Sequence, residues 1–144
     1  MAGRENTLKK YVMGIMGTRW HAQSHEDMLS AGIPDLSFSC DGVSGWIELK
    51  HIQATARTAI LKPAKFTNEQ VNWMQKRTRH GGKCFVLVQV TGRGYFLFRS
   101  GFARAIKDGM PPDQFQQSAI MHWSKSIDPD QLVTALTREN SDET

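Results

Sequence analysis

The sequence predicts an α/β fold, a mixed β-sheet flanked by helices. An amphipathic stretch opens the chain, two alternating strands follow across a tight turn, and a capped helix then leads into a continuously apolar strand. The order of helix, strands, helix, strand, strand implies a mixed sheet with helices packed on it.

Arg4 to Met16 places Leu8, Tyr11, Val12, Ile15 and Met16 at helical spacing, and Gly17 ends the helix. Glu5 falls at the edge of that apolar face. Thr18 to Ile33 shows only a short strand around Arg19–Gln23. Asp35 to Cys40 then alternates, with Leu36, Phe38 and Cys40 on one face and Asp35, Ser37 and Ser39 on the other. Trp46 to Lys50 alternates again, and Gly42 supplies the positive φ of a hairpin turn. A loop of Gly42-Val43, or of Asp41 to Ser44, sets Leu36 opposite Leu49, Phe38 opposite Ile47 and Asp35 opposite Lys50. Asp35 and Glu48 are then diagonal neighbours on the polar face, roughly 7–8 Å apart.

His51 to Phe66 reads as an irregular loop. Thr67-Asn-Glu-Gln70 has the capping-box pattern, Phe66 and Val71 sit at hydrophobic-staple positions, and the helix runs to about His80 before Gly81-Gly82. Cys84 to Val88 is apolar without alternation, the mark of a strand covered on both faces, and Tyr95 to Phe98 pairs with it. Gly101–Lys107 and Asp130–Thr137 suggest short helices. One domain over 1–138 is expected, with 139–144 a flexible polar tail.

Apolar residues make up 40% and charged residues 22%, ordinary globular usage that argues against disorder. Cys40 and Cys84 fit no zinc spacing and read as reduced thiols. There is no signal-peptide core and no apolar run of membrane-spanning length, so a cytoplasmic protein that avoids membranes is expected. The net charge of +4 is unevenly spread: Lys50 to Lys83 holds eight Lys and Arg residues against Glu69 alone. Such a basic segment suits a polyanion, with Arg57, Lys62, Lys65, Lys76, Arg77 and Arg79 as candidate phosphate contacts.

The polar face of the hairpin carries the chemistry. Phosphodiester hydrolysis needs a positioned water and neutralisation of the scissile phosphate, which divalent cations on a few carboxylates supply. Asp35 and Glu48 form such a pair, and Lys50 projects from the same face to orient water or to stabilise developing charge. His21 and His25 have the i, i+4 spacing of helical zinc ligands but lack a third partner, so surface or DNA-facing positions suit them better.

Gly32-Ile-Pro34-Asp35 before an alternating strand, Glu48-Leu-Lys50 thirteen residues on, and Gln70 with Trp73 on the following helix together resemble the PD-(D/E)XK nuclease superfamily. Within it the pattern is similar to the VRR-NUC group and to phage-type, Holliday-junction-resolvase-like endonucleases, over roughly Glu5 to Val90. The resemblance implies a restriction-endonuclease-like fold and an endodeoxyribonuclease dependent on Mg²⁺ or Mn²⁺. It implies Asp35 and Glu48 as metal ligands with the Leu49 carbonyl, a further acidic ligand from either Glu5 or Glu26, and catalytic roles for Lys50 and Gln70. It also implies a duplex or branched DNA substrate, a homodimer where the substrate is a symmetric junction, and a bacterial host if the chain is phage-encoded. Gln70 has a competing explanation as the capping partner of Thr67, and the two roles look hard to combine in one side chain. Two other classes compete: a DNA-binding protein of the same fold that does not cut, and a phage protein acting on a host protein.

Overall fold

The computed structural model describes residues 3–25 and 32–138. Six strands form one mixed sheet in the order β1-β2-β3-β4-β5-β6: His21–Ser24, Leu36–Cys40, Val43–Ile52, Lys83–Val90, Gly94–Arg99 and Met121–Trp123. β3 and β4 are parallel, as a helical crossover requires, and the other neighbours are antiparallel. Five α-helices are described: α1 (Gly3–Met16), α2 (Asn68–Arg79), α3 (Ala103–Asp108), α4 (Pro112–Ser118) and α5 (Pro129–Thr137). The mixed α/β fold read from the sequence is therefore the observed one.

Each face of the sheet has its own core. Leu8, Val12 and Met16 of α1 and Leu132, Ala135 and Leu136 of α5 pack on Leu36, Phe38, Ile47, Leu49, Phe85 and Leu87. Val71 and Met74 of α2, with residues of α3 and α4, pack on Val86, Val88, Phe96 and Phe98. β4 thus places Phe85 and Leu87 in one core and Val86 and Val88 in the other, as its unbroken apolar run demands. None of the described helices is long and apolar enough to cross a membrane.

The hairpin register differs from the expected one. Leu36 pairs with Ile47, Phe38 with Gly45 and Cys40 with Val43, so the loop is Asp41-Gly42 alone. Both loop residues have positive φ (51° and 84°), the requirement of a type I′ turn. The pairing therefore slips by two residues, which keeps every side chain on its expected face. Continued by one residue, the register sets Asp35 opposite Glu48 rather than Lys50. Directly opposed residues have Cβ atoms about 4.5–5.5 Å apart, closer than the diagonal separation expected from the sequence.

Other differences are smaller. The strand expected at Arg19–Gln23 starts later, at His21, after a 3₁₀ turn. β3 continues to Ile52, and the irregular segment after it is anchored by buried Leu61, which exchanges two backbone hydrogen bonds with Met110. α4 and β6 had no sequence signal, being seven and three residues long and too short to display a period. The expected tail, 139–144, lies outside the described residues.

Candidate active site

The site is assembled where β2, β3 and the start of α2 meet. Gly32 has a φ of 89°, and a Cβ there would collide with the Glu69 backbone carbonyl. The Gly-x-Pro-Asp loop can therefore lie directly against the first turn of α2, which brings Asp35 and Gln70 to one place. Asp35 Oδ2 accepts a hydrogen bond from the Leu49 amide (2.8 Å). In a strand the N–H and C=O of one residue point to the same edge, so the Leu49 carbonyl also faces the Asp35 side.

Glu48 and Lys50 are almost wholly buried, each 1% exposed. Lys50 Nζ donates to Glu48 Oε2 at 3.1 Å, to Gln70 Oε1 at 3.0 Å and to the Lys65 carbonyl, which accounts for all three ammonium protons. Phe66 lies beneath the ammonium, its ring centroid 4.9 Å away. Gln70 caps its own helix and contacts Lys50 at the same time. Its Oε1 accepts from Lys50 and also from the Thr67 amide (3.0 Å), completing the capping box while holding Lys50. The conflict seen in the sequence disappears because a carbonyl oxygen has two lone pairs.

Glu48 Oε1 is buried and has no hydrogen-bond partner. Burial, and after it the charge of Asp35, push the Glu48 carboxyl well above its ordinary range, against the pull of Lys50. Asp35 is raised by burial, with the Leu49 amide and Lys50 opposing. Glu5, half-buried at the start of α1, is raised by burial; Lys50 opposes the rise and Asp35 adds to it. Asp35 thus raises both Glu48 and Glu5, and the buried Lys50 ammonium opposes the rise in all three.

This arrangement fits a hard divalent cation. It offers carboxylate and carbonyl oxygens, a buried Glu48 oxygen that accepts no hydrogen bond, and two coupled carboxyl groups beside one ammonium. Among the described residues no three His, Cys, Asp or Glu side chains converge as a metal cage. The donor set is therefore two carboxylates with main chain and water, the kind that Mg²⁺ takes. Glu26 lies outside the described residues.

The six basic candidates do not form one patch. Lys65 lines the mouth of the site beside Glu5, Arg4 and His51. Lys76, Arg77 and Arg79 sit in the last turn of α2, where cations also suit the helix dipole. Arg57 is exposed on the irregular segment, and Lys62 packs beside Gly109, so neither is drawn into the site. Arg4 was not foreseen; its guanidinium lies 3.5 Å from His51 Nε2, and only its adjacency to Glu5 hinted at it. His21 and His25 lie on and just past β1 rather than on a helix. Side chains four apart along a strand are ~13 Å apart, too far to share an ion. His25 instead meets Ser37 (2.7 Å) and Trp46.

No protein-family model matches the chain, and no curated protein matches its sequence. Among solved structures, it is similar to Hjc, a Holliday junction resolvase from Archaeoglobus fulgidus, with a TM-score of 0.51 and 13% identity over 81% of this chain and 91% of the resolvase. A bacterial homing endonuclease matches at a TM-score of 0.45 and 13% identity, over 70% of this chain and 66% of that one. At such identities the likeness is one of fold, and what this chain has in common with the resolvase is its mixed sheet flanked by helices.

Proposed function

We propose that the protein is a metal-dependent DNA endonuclease that hydrolyses phosphodiester bonds at Asp35, Glu48 and Lys50. The observation that carries this reading is a wholly buried Glu48 coupled to a second carboxyl, Asp35, beside an ammonium whose every proton is engaged. A purely structural ion pair needs one carboxylate; a second one held against it is repelled unless a proton or a cation is shared between them.

Asp35 and Glu48 would hold Mg²⁺ or Mn²⁺ with the Leu49 carbonyl; Glu5 does not converge with them as a third side-chain ligand and would act through water, and Glu26 is the other candidate of the acidic set. When bound, the ion supplies charge neutralisation at the scissile phosphate. The remaining chemistry belongs to the chain. Lys50 is held on the floor of the site by Glu48 and Gln70, where a phosphate oxygen would take the place of the Lys65 carbonyl. Gln70 holds that ammonium in line from a helix end that is itself capped. Water adds to phosphorus, the P–O bond to the leaving sugar oxygen breaks, and one proton of the water ends on that oxygen. Lys65 and Arg4 at the mouth, with Lys76, Arg77 and Arg79 further along α2, would contact the phosphate backbone, giving salt-sensitive affinity of little base specificity.

Branched DNA is the substrate to try first, given the fold in common with a junction resolvase, and a dimer would pair two sites on a symmetric junction. Supercoiled plasmid, linear duplex and a four-way junction incubated with Mg²⁺, Mn²⁺ or EDTA test the reading, beside Lys50→Ala and Glu48→Ala. Metal-dependent cutting that both variants lose is expected. A folded wild type that cuts none of the three would overturn it and leave a binding protein of the same fold.

A further inference from the structure

Beyond the carboxylates, the same face of the sheet continues into a groove of about 380 Å³. Trp46 is two residues before Glu48 on β3 and pairs with Ser37, and the Ser39–Ser44 pair comes next, so all four side chains share the face of Asp35 and Glu48. The floor carries the hydroxyls of Ser37, Ser39 and Ser44 and the amide of Gln23, with Trp46 at one side. Ser39 Oγ and Ser44 Oγ are 2.8 Å apart, so each keeps hydrogen-bonding capacity for a third group. Arg77, His21, Phe38, Gly45, Gly82 and Lys83 also line it, the Lys83 ammonium itself turning to the Arg138 carbonyl and the Phe85 ring, and among the described residues no carboxylate enters it.

Arg77 is held in place by its surroundings. Its guanidinium lies 4.5 Å from the Trp73 ring centroid and 5.3 Å from that of Trp46. Gly82 lets it lie there, because a Cβ at that position would stand 2.6 Å from the Arg77 side chain. An exposed arginine fixed over two indoles and pointed into a hydroxyl-floored groove is prepared for a ligand with both anionic and planar, hydrogen-bonding parts.

We propose that this groove is a subsite for an unpaired nucleotide of the DNA strand being cut, its phosphate on Arg77 and its base against Trp46 and the serine floor. The inference rests on the nuclease reading for the position of the cut but not for the binding itself. The volume is that of a small-ligand pocket and takes a nucleotide, not a duplex. A paired base has its edge and both faces occupied inside the helix, so only an unpaired one reaches the floor. Two strand residues separate Trp46 from Glu48, ~7 Å, the length of about two stacked nucleotides. The groove therefore selects DNA that is open within a few nucleotides of the scissile phosphate, as at a flap, gap or branch.

Binding in EDTA separates this from catalysis. At one fixed salt concentration, the affinity of the wild type is measured for a labelled duplex, for the same duplex carrying a three-nucleotide unpaired flap, and for oligothymidylate. Flap and oligothymidylate are expected to bind about 10-fold more tightly than duplex, the low end of a base–aromatic contact. Ser44→Ile and Ser39→Ile, each filling the groove with aliphatic bulk from an exposed strand position, should remove that preference while duplex affinity stays within about twofold and the thermal melt shows a folded protein. Equal binding of paired and unpaired DNA by the wild type, or a preference that survives in both folded variants, overturns the proposal. A protein that cuts plasmid but shows no preference defeats the subsite alone. One that shows the preference but never cuts defeats the nuclease alone.

Discussion

Replacing Glu48 by glutamine tests the electrostatics of the site without changing its shape. Burial and the Asp35 charge raise the Glu48 carboxyl well above its ordinary 4.5, so the folded protein keeps a proton there that the unfolded chain has already lost. Through that window the folded state binds more protons, and wild-type stability must fall as pH rises. It is fully present below the unfolded value and lost on passing through the folded one. The glutamine amide is a permanent mimic of the protonated acid, and it can still accept from Lys50. In EDTA the two proteins should therefore be similar at pH 4.5. Above it Glu48→Gln should gain on the wild type by up to ~1.4 kcal/mol for each pH unit, or roughly 4–5 °C in Tm for a chain of this length. Saturating Mg²⁺ should reverse the order, because a ligand at 100 times its Kd stabilises the folded state by about 2.7 kcal/mol and the variant lacks a carboxylate to bind it. Urea melts from pH 4 to 8, with EDTA and with Mg²⁺, measure both effects. Parallel pH curves for the two proteins, or equal stabilisation of both by Mg²⁺, would refute the reasoning.

Four further substitutions probe the site and its scaffold. Lys50→Met keeps the stem's packing and removes the charge; a 10²–10³-fold loss of cutting with a folded protein is expected, read by plasmid nicking and circular dichroism. Gln70→Ala removes a helix-cap bond and an acceptor for a buried ammonium together, so about 2 kcal/mol of stability should be lost in a urea melt, whereas Thr67→Ala should cost only the cap, ~1 kcal/mol. Gly32→Ala meets both a strained φ and the Glu69 carbonyl, so a loss of about 2–3 kcal/mol is expected, with weakened cutting because Asp35 and α2 move apart. A thermal shift of under 2 °C in that variant would contradict the close approach.

Much of the site was legible because its residues act through short-range spacing. Alternation put Asp35, Glu48 and Lys50 on one face, and that held even though the register was wrong, since a slip of two leaves every face unchanged. The capping box of α2 and its staple were likewise readable, being contacts within a few residues. The register itself turned on whether Asp41, a residue with a Cβ, would accept positive φ; it does, and the turn tightens accordingly.

Other features depended on segments far apart in the chain. That Gln70 caps its own helix and also binds Lys50, that Arg4 reaches His51, and that Arg77 lies over Trp46 all follow from how α1 and α2 seat on the sheet. Local sequence by itself determined the element types, the faces and the acidic–basic triad, since these follow from backbone periodicity and turn chemistry. Only the tertiary structure decided which oxygen was left without a partner and where the groove ran. Burial and charge coupling are properties of the packed layers, and no local window of residues contains them.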